Sequence, residues 1–174
     1  MKSVHIVANI LYYLTRVAAV LYLVTAAYTL VVVLLSASGA SAPLHAADGR
    51  FEIYYPFTTK PFLLGDYNSS YLTMMVLFIS FYGVFLWLLS NVFNAFRQPR
   101  LFTSKSVVRL SRFYITNLTV PIICLIAALV FYHEAVSDVL VITFLHLVIG
   151  IFAFFMAAIF RQGLVLQEEQ DLTL

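Results

Sequence analysis

The sequence predicts an all-α membrane protein with four transmembrane helices, both termini on the cytoplasmic side and a long outer loop between the first two helices. Of the 174 residues, 63% are hydrophobic and only 10% are charged, against about 25% charged in ordinary soluble domains. Four apolar segments reach the roughly 20 residues that cross a bilayer core of about 30 Å. Lysine and arginine are concentrated between the second and third of these segments.

The apolar runs predict spans at approximately residues 14–36, 70–94, 113–133 and 138–160. They leave room for one integral membrane domain over residues 1–174, and for no second globular domain. Only the stretch HEAVSD separates the last two spans, so these two form a tight antiparallel hairpin.

Orientation follows from the positions of the cations. The basic loop, residues 95–112, holds five of the ten lysine and arginine residues, whereas the HEAVSD turn holds none. The outer loop, residues 37–69, has acidic residues beside its two cations. The sequence therefore predicts that both termini, the basic loop and the tail at 161–174 lie in the cytoplasm.

The residues before the first span leave two alternatives open. Val4, Val7, Leu11 and Leu14 recur at helical spacing ahead of Arg16. They form either an amphipathic turn on the membrane surface or the start of a longer, tilted first helix whose Arg16 reaches the headgroups.

The outer loop carries a strand-like pattern. Phe51, Ile53 and Tyr55 alternate with Glu52 and Tyr54, which predicts a short β-hairpin or extended cap. Residues 68–70, with sequence NSS, offer an N-cap for the second span.

Spans two and four end alike, in AFRQPRLF and IFRQGLVL. An aromatic residue, an arginine and then Pro99 or Gly163 predict that each helix is interrupted there. An old duplication is an alternative origin, but a common way of leaving a membrane accounts for both copies.

The basic loop contains its own helix-start signal. Thr103 is a predicted N-cap, and Lys105, Arg109 and Arg112 follow at i, i+4 and i+7, so they form one face, here called the basic stripe. The sequence predicts an amphipathic element near the inner leaflet before span three. Each cation contributes about 1 kcal/mol at an anionic membrane surface, so the stripe is a candidate site for lipid or a protein partner.

The tail supplies the opposite charge. Glu168, Glu169 and Asp171 lie on the same side of the membrane as the basic stripe and are candidate partner-binding residues. Two alternatives stay open: the tail docks on the stripe or on a basic partner, or it is simply solvated.

Within the spans, His146 and Asn117 are the candidate polar site. An ionisable residue inside a membrane is costly and often functional. His146 could take up a proton or bind a ligand, or it could be a neutral imidazole hydrogen-bonded to a neighbouring helix. We expect the second, because no carboxylate lies near it in the sequence.

Catalytic, metal and cofactor motifs are not expected. The chain has one cysteine, its histidines lack metal-ligand spacing, and phosphate-binding loops, zinc-protease motifs and nucleophile elbows are missing from the sequence. We therefore predict a protein that is not an enzyme and that has no cofactor.

The basic loop and tail resemble those of a bacterial family known as domain of unknown function 2975. The residues that carry the resemblance are Phe102, Thr103, Val107, Arg109 and Leu110 in the loop, and Phe160, Arg161, Gly163, Leu166, Glu168, Glu169, Leu172 and Thr173 in the tail. The resemblance implies a four-helix protein of the bacterial inner membrane. It also implies a helix-turn-helix regulator as a candidate partner, because such regulators are often encoded beside family members.

Two functional classes remain from the sequence. The first is a membrane-anchored regulatory or adaptor protein that presents its cytoplasmic loop and tail to a partner, without direct contact to nucleic acid. The second is a carrier of small solutes or lipophiles, for which a homo-oligomer is a candidate assembly. The scarcity of charge within the spans favours the first.

Overall fold

The structure, a computed structural model, describes residues 2–39 and 44–172. Residues 40–43 of the predicted outer loop and 173–174 of the predicted tail lie outside the described part. The helices are α1 (Lys2–Ala37), α2 (Ser69–Phe96), α3 (Ser104–Phe131) and α4 (Val136–Leu172), and the strands are β1 (Leu44–Ala47), β2 (Arg50–Tyr54) and β3 (Pro61–Asp66). All four helices are long and apolar enough to cross a membrane, which confirms the four predicted transmembrane helices.

The chain divides into two compact units, which are described separately. The hairpin unit comprises Met1–Val17 and Phe85–Leu174, and the sheet unit comprises Ala18–Val84.

The hairpin unit is organised around the seam between α3 and α4. A short 3-10 turn at His133–Ala135 joins these two helices, so the predicted antiparallel hairpin is confirmed. The buried residues of α4 recur at alternating steps of four and three, at Val139, Thr143, His146, Gly150, Ala153, Ala157 and Phe160. This is the seven-residue repeat of coiled-coil packing.

Small residues let the two helices approach closely. A Cβ atom placed on Gly150 would lie only 2.7 Å from Cδ2 of Leu118, so α3 occupies the space that any larger residue would need. The outward side of α4 is apolar instead of polar: Phe144, Phe152 and Phe155 are each more than half exposed. Such a surface is suited to lipid, because hydrocarbon solvates these rings and water does not.

α3 differs from the expectation of a separate element on the membrane surface. It runs without interruption from Ser104 to Phe131, so the basic stripe occupies its first turns. The reason is that Val107, Leu110 and Phe113 continue the same buried face into the span. α1 is also continuous from Lys2 to Ala37, which favours the longer first helix over the amphipathic turn.

The prediction that Gly163 interrupts the last helix is wrong. α4 continues through it to Leu172, because glycine retains its backbone N–H and costs a helix only about 1 kcal/mol. A Cβ on Gly163 would lie 2.6 Å from Cδ1 of Phe102, so this glycine makes room for an aromatic ring. Pro99, by contrast, does follow the end of α2, which ends at Phe96.

The sheet unit contains a three-stranded antiparallel sheet in the order β1-β2-β3. The predicted alternation is confirmed at Phe51 and Ile53, which are fully buried in β2, but it is wrong at Tyr55, which follows the end of the strand and is exposed. β1 was not predicted from the sequence, although the Asp48-Gly49 pair that follows it is a hairpin signal. Both residues have positive φ, 51° and 74°, as a two-residue type I′ hairpin turn requires.

The sheet packs on the adjoining parts of α1 and α2. Phe51 and Ile53 form a buried cluster with Val32 of α1 and Leu72 of α2, and the Tyr28 hydroxyl donates a hydrogen bond of 2.6 Å to the backbone carbonyl of Tyr54. The predicted cap is present as well: the Asn68 side chain accepts a hydrogen bond of 2.9 Å from the backbone N–H of Ser70.

The Phe102–Gly163 contact yields a prediction. Gly163→Ala adds one methyl group, which in an exposed helix would stabilise by about 1 kcal/mol. Here we expect a net loss of about 1–2 kcal/mol, because the whole Phe102 ring must move. The measurement is thermal or denaturant unfolding in detergent, with the exposed neighbour Gln162→Ala as the matched control. In the Phe102→Ala variant, where the ring is absent, adding Gly163→Ala should instead raise the unfolding free energy. If Gly163→Ala alone stabilised the protein, the Phe102 ring would not be what restricts residue 163.

Candidate functional site

The α2–α3 loop and the end of α4 come together in the hairpin unit. Residues 97–103 connect the two helices, and the Thr103 side chain accepts a hydrogen bond of 3.2 Å from the backbone N–H of Ser106. The predicted N-cap is therefore confirmed. It starts α3 immediately after the loop and positions the cations that follow.

The basic stripe lies on the outward side of α3. Lys105 and Arg112 are exposed and Arg109 is partly exposed, whereas Val107 and Leu110 face the core. In the described part of the chain, none of the three cations forms an ion pair with a carboxylate. The stripe is thus available to lipid headgroups or to a partner.

The acidic tail meets the loop at a cation outside the stripe. Asp171 lies 3.8 Å from Arg100, and both side chains are more than half exposed. Such exposed pairs contribute about 0–1 kcal/mol, so the ion pair adds little to the stability with which the tail packs on the loop. The stronger attachment is apolar: the Phe102 ring packs edge-on against Phe160, with a centroid separation of 5.4 Å.

A cavity of about 260 Å³, here called the end groove, opens beside this pair. Its lining combines both charges, hydroxyl groups and an amide: Arg100, Phe102, Thr103, Ser104, Leu164, Gln167, Glu168 and Asp171. Of the predicted tail residues, Glu168 and Asp171 line the groove and Glu169 does not. Arg100 was not among the site residues predicted from the sequence, although its position after the helix-breaking Pro99 was a usable signal.

The structure brings the two candidate intramembrane residues together. His146 and Asn117 are both buried, and His146 Nδ1 lies 2.7 Å from the Asn117 Oδ1 atom. The Asn117 amide nitrogen donates to the backbone carbonyl of Phe113 at 2.8 Å, so its oxygen faces His146 as an acceptor. His146 is thus hydrogen-bonded to the neighbouring helix α3, which is the contact that the structural interpretation of this histidine predicted.

A second polar link joins the same helices one turn away. The Thr143 hydroxyl donates a hydrogen bond of 3.1 Å to the backbone carbonyl of Pro121. The Phe85 ring meets the His146 ring edge-on, with centroids 5.0 Å apart. The polar pair is thus enclosed by protein within the described structure, and it fixes α4 against α3.

An apolar cavity of about 310 Å³ lies between α2, α3 and α4 in the hairpin unit. Its wall is formed by apolar side chains, including Phe85, Leu89, Phe113, Ala153 and Met156. Phe85 separates this cavity from His146, so the histidine is near it without lining it.

One cationic cluster was missed by the sequence analysis. Arg16 of α1 stacks on Trp87 of α2, and Arg97 packs on Tyr12. The available signal was Tyr12, Tyr13 and Arg16 at helical spacing opposite a lone tryptophan. For metals, the described residues bring no group of three histidine, cysteine or acidic side chains together.

The four apolar helices and the buried polar pair between two of them define the class, a four-helix integral membrane protein. Within that class, the chain belongs to the family described as protein of unknown function, DUF2975, whose model matches residues 8–174. The family resemblance seen in the loop and tail is therefore confirmed over nearly the whole chain. Neither the curated proteins nor the solved structures contain a match.

The buried polar pair yields a prediction. Asn117→Ala removes the hydrogen bond to His146, and we expect a loss of about 1–2 kcal/mol in unfolding free energy. The measurement is unfolding in detergent micelles, followed by circular dichroism. Thr119→Ala is the control, because Thr119 is exposed and bonds only to a carbonyl of its own helix. If both substitutions lowered the unfolding free energy equally, the Asn117–His146 hydrogen bond would contribute no more to stability than a bond within one helix.

Proposed function

We propose that this protein is a non-enzymatic, membrane-anchored adaptor that binds a cytoplasmic protein through the end groove and the basic stripe. The observation that carries the proposal is the end groove itself. It is an open cavity with both polar and apolar lining residues, in which the tail carboxylate of Asp171 meets the loop cation Arg100. Both charges are exposed, so each can exchange its partner for a group on another protein.

The length of α4 supports this role. Its 37 residues rise about 55 Å, well beyond a bilayer core of about 30 Å. Residues 139–160 are apolar except for Thr143 and His146, whereas residues 161–172 contain four charged residues and three glutamines. A helix that continues past the membrane as a rigid rod presents its end at a fixed position to a partner.

The orientation in the proposal rests on the cations. The positive-inside rule puts the α2–α3 loop on the cytoplasmic side, and the resemblance to the bacterial family suggests the inner membrane. On that side, Lys105, Arg109 and Arg112 would hold anionic headgroups or the acidic surface of the partner. A helix-turn-helix regulator is the partner that the family resemblance suggests.

Site-specific crosslinking in living cells tests the adaptor proposal. A photocrosslinking amino acid at Gln167, which lines the end groove, should capture a cytoplasmic helix-turn-helix regulator. The same amino acid at Phe131, an exposed residue at the other end of α3, is the control and should not. Asp171→Lys should reduce capture about fivefold or more, because it sets like charges side by side in the groove.

The outcomes separate the two parts of the proposal. Capture of a different cytoplasmic protein at Gln167, reduced by Asp171→Lys, would replace the partner and keep the adaptor. Equal capture at Gln167 and Phe131, or none at Gln167, would refute the end groove as a docking site.

A second candidate function, binding of a small lipophile, is favoured by the apolar cavity in the hairpin unit. Its volume of about 310 Å³ is at the lower end of the range for ligand pockets, about 300–1,000 Å³. Ala153 lines this cavity and is buried.

Filling the cavity tests this second function. Ala153→Leu should reduce the apolar compound that co-purifies with the protein severalfold, as measured by mass spectrometry of the extracted sample. Ala158→Leu makes the same change on α4 at a position that does not line the cavity. Equal amounts of bound compound in the two variants would rule out the cavity as its site.

A further inference from the structure

We propose a binding site for a phosphate group, as carried by an anionic lipid headgroup or by free phosphate, between Arg16 of α1 and Arg97 at the end of α2. The site lies within the hairpin unit and is separate from both the basic stripe and the end groove. Its parts are two guanidinium groups, the aromatic rings on which they lie, and two asparagine side chains.

The two arginines converge on one aromatic ring. The Cζ atoms of Arg16 and Arg97 lie 5.3 Å and 4.2 Å from the ring centroid of Tyr12. Arg16 also stacks at 3.7 Å on Trp87. Stacking holds each guanidinium plane in a fixed orientation and leaves its edge for hydrogen bonds.

Neutral groups are the hydrogen-bond partners of both arginines. Arg16 donates to the Asn91 side-chain oxygen at 2.8 Å. Arg97 donates to the Asn9 side-chain oxygen and, at 3.4 Å, to the Tyr13 hydroxyl. In the described chain, which includes every aspartate and glutamate, no carboxylate forms an ion pair with either arginine.

The site is incomplete in charge and in hydrogen bonds. Each guanidinium has five N–H donors, and the Arg16 Nε atom is buried without a hydrogen-bond partner among the described residues. A buried donor left unsatisfied is costly, and two cations gathered at one ring repel each other. An anion with several acceptor oxygens offsets the repulsion between the two cations and accepts hydrogen bonds from their accessible N–H groups, and a phosphate group has this chemistry.

The depth of the site fits a headgroup. Counted along α1, the stretch from Arg16 to Ala37 rises about 32 Å, close to the thickness of a bilayer core. The stretch of α2 from Ser70 to Asn91 has the same length. Arg16 and Asn91 therefore reach the boundary of the hydrocarbon together, where lipid phosphates lie.

The protein contains its own reporter for this site. Trp87 is the single tryptophan of the chain, and Arg16 covers its ring, so an anion on Arg16 should change its fluorescence. We would titrate the purified full-length protein in uncharged micelles with phosphatidylglycerol, phosphatidylcholine and inorganic phosphate. Native mass spectrometry would count the bound lipids.

We expect phosphatidylglycerol to change Trp87 emission saturably and phosphatidylcholine to do so at least about tenfold more weakly. Arg97→Gln should weaken phosphatidylglycerol binding about tenfold or more, since it removes a charge-assisted hydrogen bond while leaving the Arg16–Trp87 stack in place. Arg100→Gln, which neutralises a cation outside the cluster, is the matched control and should leave binding unchanged. Arg97→Lys, which keeps the charge, should bind phosphatidylglycerol with an affinity between those of Arg97→Gln and Arg100→Gln. This partial rescue would show that the loss in Arg97→Gln is not a folding defect.

The three titrations identify the source of the phosphate group. A response to phosphatidylglycerol that inorganic phosphate does not compete away assigns the site to lipid. A saturable response to inorganic phosphate, lost in Arg97→Gln, assigns it to a soluble phosphate. Equal responses to both lipids without any response to inorganic phosphate, or equal losses in Arg97→Gln and Arg100→Gln, would overturn the proposal.

Discussion

The seam between α3 and α4 is the constraint on which the hairpin unit depends. Its buried residues repeat every seven positions, and one layer is polar: Asn117 and His146, joined at 2.7 Å. A polar pair in an apolar seam selects one register, because a shift by one turn would leave both groups buried without each other. Gly150, packed under Leu118, permits the close approach that this register needs.

That register also determines how the α2–α3 loop packs against the end of α4. α4 is set against α3 by the seam, and α3 begins at the Thr103 cap, so the Phe102 ring lands on Gly163 and Phe160. Packing then brings Arg100 near Asp171. The end groove is thus a product of apolar packing deeper in the helices, and its exposed ion pair adds charge to a geometry that other contacts determine.

Six of the ten lysine and arginine residues lie in three different environments. Lys105, Arg109 and Arg112 face outward and form no ion pair with a described carboxylate, as a membrane surface favours. Arg100 pairs with the tail. Arg16 and Arg97 are gathered on aromatic rings with neutral amides, a setting that fixes their orientation, and among the described residues no carboxylate pairs with either. Net charge alone, +2 for the chain, conceals this division.

The sequence by itself determined the four apolar helices, the tight hairpin, the Thr103 cap and the strand around Phe51, because each depends on local composition or short-range periodicity. Only the tertiary structure decided that Gly163 lies inside a helix, that Asp171 meets Arg100, and that Arg16 and Arg97 share one ring. These facts depend on which residues of distant helices face each other. Hydropathy does not encode such pairings, since lipid-facing and helix-facing side chains in a membrane protein are almost equally apolar.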